Sequence, residues 1–173
     1  MSALDPPPST SSSTSFTLIT PHSTLLSTGI HHFASPTGRR ITLLLDPSRS
    51  NTVVAMDSIC YHAGGPLTIG DIEDVAGDSC VKCPWHNQPI RLSDGARMYR
   101  KVTFEGASNK MVHDDTWRAY PKLQRVHAVE IREGGVYVKV DEGGEEGGEE
   151  WKSDKYCRSE EAARNLFRKD GCA

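Results

Sequence analysis

Two short loops rich in glycine and proline, each with a cysteine just ahead of a histidine, constrain this chain more than any other feature of its sequence. The first loop reads CYHAGGPL (60–67) and the second reads CPWHNQPI (83–90). Glycine permits sharply turned backbone and proline fixes part of it, so such loops can fold closely around a bound group. The candidate ligands of that group are Cys60, His62, Cys83 and His86.

The chemistry of these side chains limits the bound group to a few metals. Thiolates favour zinc, copper(I) or iron–sulfur clusters, and imidazole suits zinc and iron, so a mixed set excludes calcium and magnesium. Zinc and iron–sulfur both remain at this point. Cys80 keeps the zinc interpretation open, because CVKC (80–83) is itself a C-x-x-C motif, although Cys80 also fits a strand as a small apolar residue.

The order of the ligands separates the two metals. Zinc modules with two cysteines and two histidines usually group each type together, whereas here each loop contributes one of each. This arrangement, Cys-x-His followed by Cys-x-x-His, resembles the Rieske family, in which two cysteines hold one iron of a [2Fe-2S] cluster and two histidines hold the other. The flanking residues Gly65-Pro66-Leu67 and Pro84-Trp85 are also similar to the loops of Rieske-type ferredoxins.

The resemblance covers roughly residues 16–140 and implies one Rieske-type [2Fe-2S] cluster per chain. Cys60 and Cys83 would bind the inner iron, and His62 and His86 would bind the outer iron near the surface, where electrons would pass. Within the family, the chain is most similar to the small soluble Rieske-domain proteins of eukaryotes.

Departures from the family pattern indicate a subclass. Rieske subunits of respiratory and photosynthetic complexes carry an extra cysteine in each loop, joined as a disulfide, but the matching positions here are Gly65 and Trp85. We expect Trp85 to fill that space. The hydroxyl-bearing positions of those subunits are Gln88 and Ile90 here, and losing hydroxyl donors to the cluster predicts a low, ferredoxin-like potential. Asn87 replaces a usual glycine, and asparagine tolerates positive φ better than other residues.

Hydrophobic patterning predicts an all-β domain over residues 16–140. Runs of β-branched and aliphatic residues bounded by turn residues predict strands at 16–19, 39–46, 52–59, 79–83, 125–132 and 136–140. Gly134-Gly135 predicts a tight hairpin turn between the last two. Residues 96–122 show no clear period, and we interpret them as irregular with at most one short strand. With the resemblance, the prediction is a Rieske-type fold of antiparallel β-sheets with two cluster-binding loops.

The ends of the chain differ in composition from the β domain. Residues 1–15 are rich in serine, threonine and proline and predict a disordered tail, and residues 141–150 alternate glycine with acids and predict a flexible linker. Residues 151–173 form a C-terminal tail with a short helix starting after Ser159, a good N-cap. Its small apolar face leaves open whether it docks on the β domain or frays.

Charge and composition exclude several classes of partner. A formal net charge of -3 gives no reason to expect nucleic acid or anionic lipid. The longest strongly apolar run, ITLLL (41–45), is far too short for a membrane span. An N-terminus without secretory character and an odd number of cysteines favour the reducing cytoplasm over an oxidising compartment.

The sequence therefore predicts a cytoplasmic electron-transfer protein rather than an enzyme with a small-molecule substrate of its own. It would accept one electron from a reductase and donate it to an oxygenase or another oxidoreductase. A complete Rieske oxygenase would need a further domain for a mononuclear iron, and residues 141–173 contain no histidine. The alternative is a zinc-stabilised structural or interaction module without a redox role.

The resemblance also suggests where redox partners dock. We expect the rim of the docking face to consist of residues beside the exposed histidines, namely Gly64, Gly65, Pro66, Trp85 and Asn87.

Overall fold

A computed structural model of the chain describes residues 15–121, 123–143 and 150–168. Most of its regular structure is β-strand, with only short helices, which confirms the predicted all-β class. The strands of the described residues are β1 (Thr17–Pro21), β2 (Ile30–Ala34), β3 (Arg40–Asp46), β4 (Thr52–Asp57), β5 (Asp71–Val75), β6 (Asp78–Lys82), β7 (Pro89–Arg91), β8 (Arg97–Glu105), β9 (Lys110–Tyr120), β10 (Val126–Arg132) and β11 (Gly135–Lys139).

The strands form two antiparallel sheets. The larger sheet has the order β1-β11-β10-β4-β3-β2, and the smaller sheet has the order β5-β6-β7-β8-β9. The smaller sheet is continuous in sequence and is inserted between β4 and β10. The first Cys/His loop therefore leaves the larger sheet after β4, and the second loop connects β6 to β7 within the smaller sheet.

Strand β3 lies between two hydrophobic cores because both of its faces are covered. Ile41, Leu43 and Leu45 pack with Val136 and Val138 in a core that helix α1 (His22–Thr28) closes through Leu25. Leu44, on the opposite face, packs in the core that contains both loop cysteines. This double burial explains the unbroken apolar run of β3.

The hairpin of β10 and β11 was predicted, but its turn was placed one residue too late. Arg132 pairs with Gly135, so the turn consists of Glu133 and Gly134, with φ values of 51° and 74°. Gly135 already belongs to β11, and a Cβ there would lie 2.6 Å from Leu18 Cδ1. Glycine is therefore required at position 135 because there is no space for a Cβ, and not because the backbone has a positive φ.

The interpretation of residues 96–122 as irregular was wrong, because β8 and β9 form a long hairpin there. Arg100 pairs with Trp117 and Val102 pairs with His113, so β9 advances by two more residues than β8 over this step. The bulge breaks the period of two, and most side chains of the hairpin are exposed, which removes the apolar alternation. Helix α1 was also missed.

The C-terminal segment (150–168) docks on the β domain, which settles the question that the sequence left open. Its helix α2 (Glu160–Ala163) begins as predicted, with the Ser159 hydroxyl accepting a hydrogen bond from Ala162 N at 3.2 Å. Ala162 and Leu166 pack against Ile59, the residue before Cys60. Residues 1–14, most of the predicted linker (144–149) and residues 169–173 lie outside the described residues.

In the part of the chain that the structure describes, no helix combines the length and the apolar character that a bilayer span requires.

A buried carboxylate ties β4 to the C-terminal segment. Asp57, the last residue of β4, is fully buried and binds Arg39 through two hydrogen bonds, at 2.7 Å from Nε and 2.8 Å from Nη2. It also accepts a hydrogen bond from the Ser153 hydroxyl and lies 3.3 Å from His127 Nε2. A buried charge is tolerated only when it is paired in this way.

Asp154 extends the same network. Its carboxylate binds Arg125 at 2.9 Å from Nε and 2.6 Å from Nη2, and it also binds Arg39. Burial opposes ionisation of Asp154, but the hydrogen bonds from Arg125 and Arg39 outweigh it and hold the pKa well below the ordinary value. Two arginines and two aspartates thus join the larger sheet to the C-terminal segment.

We expect Asp154→Asn to lower the free energy of unfolding at neutral pH by about 2 kcal/mol, less than for a fully buried pair because Asp154 touches solvent. Because the folded pKa is depressed, this stabilisation is complete above the ordinary pKa of 3.8 and is lost as the pH falls further. The variant should therefore lose less stability in acid than the wild type. Urea titrations from pH 7 to pH 3 measure both effects.

Asp114→Asn is the matched control. Asp114 forms a partly exposed ion pair with Arg118 at 2.6 Å, and its pKa is lowered to about 2 by hydrogen bonds from the Thr116 backbone and from Arg118. Equal destabilisation by the two substitutions would show that the buried network has no special role.

Candidate metal centre

The first Cys/His loop closes on itself through its backbone. Cys60 N donates a hydrogen bond to Gly65 O at 2.7 Å, and Gly64 N donates to Cys60 O at 3.0 Å. Gly64 has a φ of 77°, a left-handed conformation that glycine adopts without strain. Ile59 and Pro66 form a β-bridge at the base. The backbone around Cys60 is therefore fixed by the loop's own glycines.

The second loop repeats this design. Asn87 N donates to Cys83 O at 2.9 Å, and Cys83 N donates to Gln88 O at 3.1 Å. Asn87 has a φ of 52°, so the predicted tolerance of asparagine for positive φ is used here. Each loop thus turns back on its cysteine and sends its histidine outward.

The four candidate ligands lie in two pairs at different depths. The thiols of Cys60 and Cys83 are hydrogen-bonded to each other and buried in the core between the sheets. The imidazoles of His62 and His86 are exposed, with ring centroids 4.8 Å apart and ring planes at 87°. The structure therefore brings the four candidate side chains together in two pairs, with the thiols inside and the imidazoles outside.

The two thiols differ in pKa. The hydrogen bond from Cys60 lowers the pKa of Cys83 to about 7, and the same bond together with burial raises the pKa of Cys60. One thiolate therefore forms readily near neutral pH, and thiolate is the form that binds metal. Desolvation, His86 and Arg97 lower the pKa of His62, which favours the neutral imidazole that can act as a ligand.

Gly65 and Trp85 face each other beneath the ligands. A Cβ on Gly65 would lie 2.7 Å from Cys83 Sγ and 3.1 Å from Trp85 Cδ2. The half-buried indole thus occupies the place that we expected it to fill. Its Nε1 atom is buried and has no hydrogen-bond partner among the described residues.

The donor set fits a cluster with two metal ions, because each ion of a Rieske-type cluster takes two protein ligands of one kind. In the described part of the chain, no three side chains of His, Cys, Asp or Glu gather around one point as ligands of a single ion. The pairs of thiols and imidazoles, supported by two loops with tightly turned backbones, could hold a [2Fe-2S] group between them.

Cys80 takes no part in this site. It is fully buried in a small cluster with Val75 and Met98, apart from the core that contains the loop cysteines. Burial, followed by the charge of Asp78, raises the pKa of its thiol to about 12. Cys80 therefore behaves as the small apolar strand residue of the sequence analysis.

The predicted docking rim was largely wrong. Gly64, Gly65 and Pro66 are buried, and Gly64 is covered by Tyr156 and Ala162 of the C-terminal segment. The sequence gives no sign of this cover, because the two covering residues are about a hundred positions away from the loop. Of the predicted rim, Trp85 is half-buried and Asn87 is exposed.

Sequence reasoning missed one residue near the histidines and its neighbour on the next strand. Arg97 is exposed, and its charge lowers the pKa of His62, so it lies on the histidine side of the site. Tyr120 pairs with Arg97 across β8 and β9 and is also exposed. Recognition of the β8–β9 hairpin would have been needed to find them.

Comparisons with known proteins identify the family of this chain. Residues 32–143, which include both loops, match the family of soluble Rieske-type ferredoxins. A Rieske domain-containing protein of Homo sapiens is 42% identical over 86 residues, which make up 50% of this chain and 52% of that protein. The match thus spans about half the length of this curated relative.

A solved structure is similar in fold. It is described as an NADH-dependent nitrite reductase small subunit from Mycobacterium tuberculosis, and it superposes with a TM-score of 0.53. The superposition covers 72% of this chain and 93% of that chain at 16% identity. At this identity the likeness supports the fold alone.

We expect Gly65→Ala to lower the amount of bound metal several-fold, because the new methyl group would displace the Cys83 thiol. Metal analysis of the purified variant, together with its thermal unfolding, measures this. Gly77→Ala is the control, since Gly77 has a φ of 86° and open space around it, so that only the backbone cost of alanine is tested. Full metal content in Gly65→Ala would contradict the crowded geometry.

Proposed function

The chain belongs to the family of soluble Rieske-type ferredoxins, and on that premise we propose that it carries single electrons between a reductase and an acceptor such as an oxygenase. The proposed ligands are Cys60 and Cys83 for the inner iron and His62 and His86 for the outer iron of one [2Fe-2S] cluster. When bound, the cluster would supply reversible one-electron chemistry.

One observation carries this proposal. Two thiols are buried between the sheets, and two imidazoles stand at the surface beside each other. The loops fix the thiols through backbone hydrogen bonds, so little has to rearrange when an electron arrives. The exposed imidazoles offer a partner protein a short path to the site.

The proposed docking face consists of the exposed residues around the imidazoles, namely His62, His86, Asn87, Arg97 and Tyr120. Strand β7 follows the second loop directly, and Ile90 pairs with Arg97, so β8 runs back alongside this loop. A partner therefore meets the second loop and the start of β8, since the C-terminal segment covers the other side. Electron-transfer contacts of this kind are small and brief.

A low reduction potential is part of the proposal. Ile90 is buried and apolar, and Gln88 Oε1 faces the Tyr61 hydroxyl at 3.5 Å, which is at most a weak hydrogen bond. Neither residue offers a hydroxyl donor that would stabilise the added charge of a reduced cluster.

The location of the protein also remains a proposal. Cys80 and Cys157 are buried and form no disulfide, which favours a reducing compartment, and we propose the cytoplasm.

Low-temperature electron paramagnetic resonance of the dithionite-reduced protein is the first test. We expect a rhombic Rieske-type signal, with about two irons and two sulfides per chain by assay of the same sample. About one zinc per chain with no signal would overturn the electron-carrier function and favour a zinc-stabilised module.

We expect Arg97→Glu to shift the reduction potential to more negative values by tens of millivolts, because the reduced site gains a negative charge that Arg97 stabilises. Protein-film voltammetry at low salt measures the shift. Arg132→Glu is the control, since Arg132 is half-exposed and lies at the far end of β10, about 20 Å along the strand from Val126. Equal shifts in both variants would remove Arg97 from the site.

A further inference from the structure

The side chain of Gln124 forms hydrogen bonds with the backbone on both sides of Cys60. It is completely buried, and its Nε2 atom donates to Asp57 O at 2.8 Å and to Ile59 O at 3.0 Å. Its Oε1 atom accepts a hydrogen bond from Tyr61 N at 2.9 Å. The two N–H groups and the oxygen of one carboxamide thus form three hydrogen bonds, with residues 57, 59 and 61, on both sides of the proposed ligand Cys60.

These hydrogen bonds take the place of the ones that a neighbouring strand would form with this backbone. Strand β4 ends at Asp57, so the backbone groups of Ile59 and Tyr61 that Gln124 binds have left the regular ladder while still buried. Buried backbone groups need partners, and Gln124 supplies them on the side that the loop does not use. Cys60 itself is bonded to Gly64 and Gly65. The backbone that carries the Cys60 thiol is therefore held from two sides.

Gln124 is itself held from two directions. Its N–H donates to Gly95 O at 3.1 Å, and a Cβ on Gly95 would come within 1.7 Å of Gln124 O. The next residue, Arg125, donates its N–H to the Ser153 hydroxyl at 3.0 Å, and Leu123 O accepts from Ser153 N at 2.9 Å. The turn before β8 and the C-terminal segment thus fix the position from which Gln124 reaches the first loop.

We propose that Gln124 is a positioning residue for Cys60, which sets the direction of its thiol toward Cys83 and thereby the stability of the bound cluster. The inference rests on the proposed function for the identity of the metal. The carboxamide neither binds the metal nor carries a proton, so its effect passes through the backbone of residues 59–61. Gly95 serves the same end, because no other residue lets β8 approach Gln124 this closely.

Gln124→Met tests the hydrogen bonds alone, because methionine keeps nearly the same volume. The metal-bound protein would be compared with wild type in three measurements: hydrogen exchange of the peptide containing Tyr61, loss of metal to an added chelator, and the width of the resonance signal. The substitution removes all three hydrogen bonds of the carboxamide, of which one protects Tyr61 N directly. We expect exchange at Tyr61 and metal loss to become at least about tenfold faster, and the signal to broaden.

Val138→Ala is the matched control. Val138 is fully buried in the other core, between the larger sheet and α1, so truncating it lowers stability without touching the loop. The two variants would be compared at temperatures equally far below their unfolding midpoints. If Gln124→Met exchanges at Tyr61 and releases metal no faster than Val138→Ala, the proposal is overturned.

The two proposals fail separately. If the wild-type protein holds zinc and gives no resonance signal, the electron-carrier function is wrong, while the rates of hydrogen exchange and metal release still decide the role of Gln124. If the wild-type signal is present and Gln124→Met matches the control in every measurement, the function stands and the positioning role is wrong.

Discussion

The carboxylate of Asp57 is the constraint on which this structure depends. A charge with no access to water must find all its partners inside the protein, and here they come from three distant parts of the chain: Arg39 before β3, His127 on β10 and Ser153 in the C-terminal segment. Asp57 also ends the strand that leads into Cys60. The partners that neutralise Asp57 therefore fix the position at which the first Cys/His loop leaves β4.

The two Cys/His loops have a similar shape but are held in place by different parts of the structure. The first loop leaves the larger sheet and is braced by Gln124 and the C-terminal segment, whereas the second loop is a turn between adjacent strands of the smaller sheet. Their cysteines meet in the core that joins the sheets. The contact of the two sheets thus sets the geometry of the thiols, and the exposed histidines follow from the length of each turn.

The approach of the four proposed ligand side chains in two pairs could be predicted because its information is local. Residue type and spacing within two loops single out the four side chains, and the apolar runs predict every strand of the larger sheet except β2, whose sequence IHHFA contains two histidines. The β8–β9 hairpin could not be predicted, since its side chains face solvent and a bulge at Arg100 shifts its register. The burial of Gly64 by Tyr156 and the bonds of Gln124 also have no local signature, because they depend on contacts between residues far apart in sequence.

The docking of the C-terminal segment affects the order in which contacts form during folding. The ion pair of Arg39 with Asp154 joins residues separated by 115 positions, and the bond of Ser153 to Asp57 spans 96. Contacts of such long range close late in folding, because the intervening chain must first be brought together. Until residues 150–168 have been synthesised and have folded back onto the β domain, Asp57 lacks Ser153 and Ile59 lacks its cover of Ala162 and Leu166. The first Cys/His loop therefore gains its full support only at a late stage of folding.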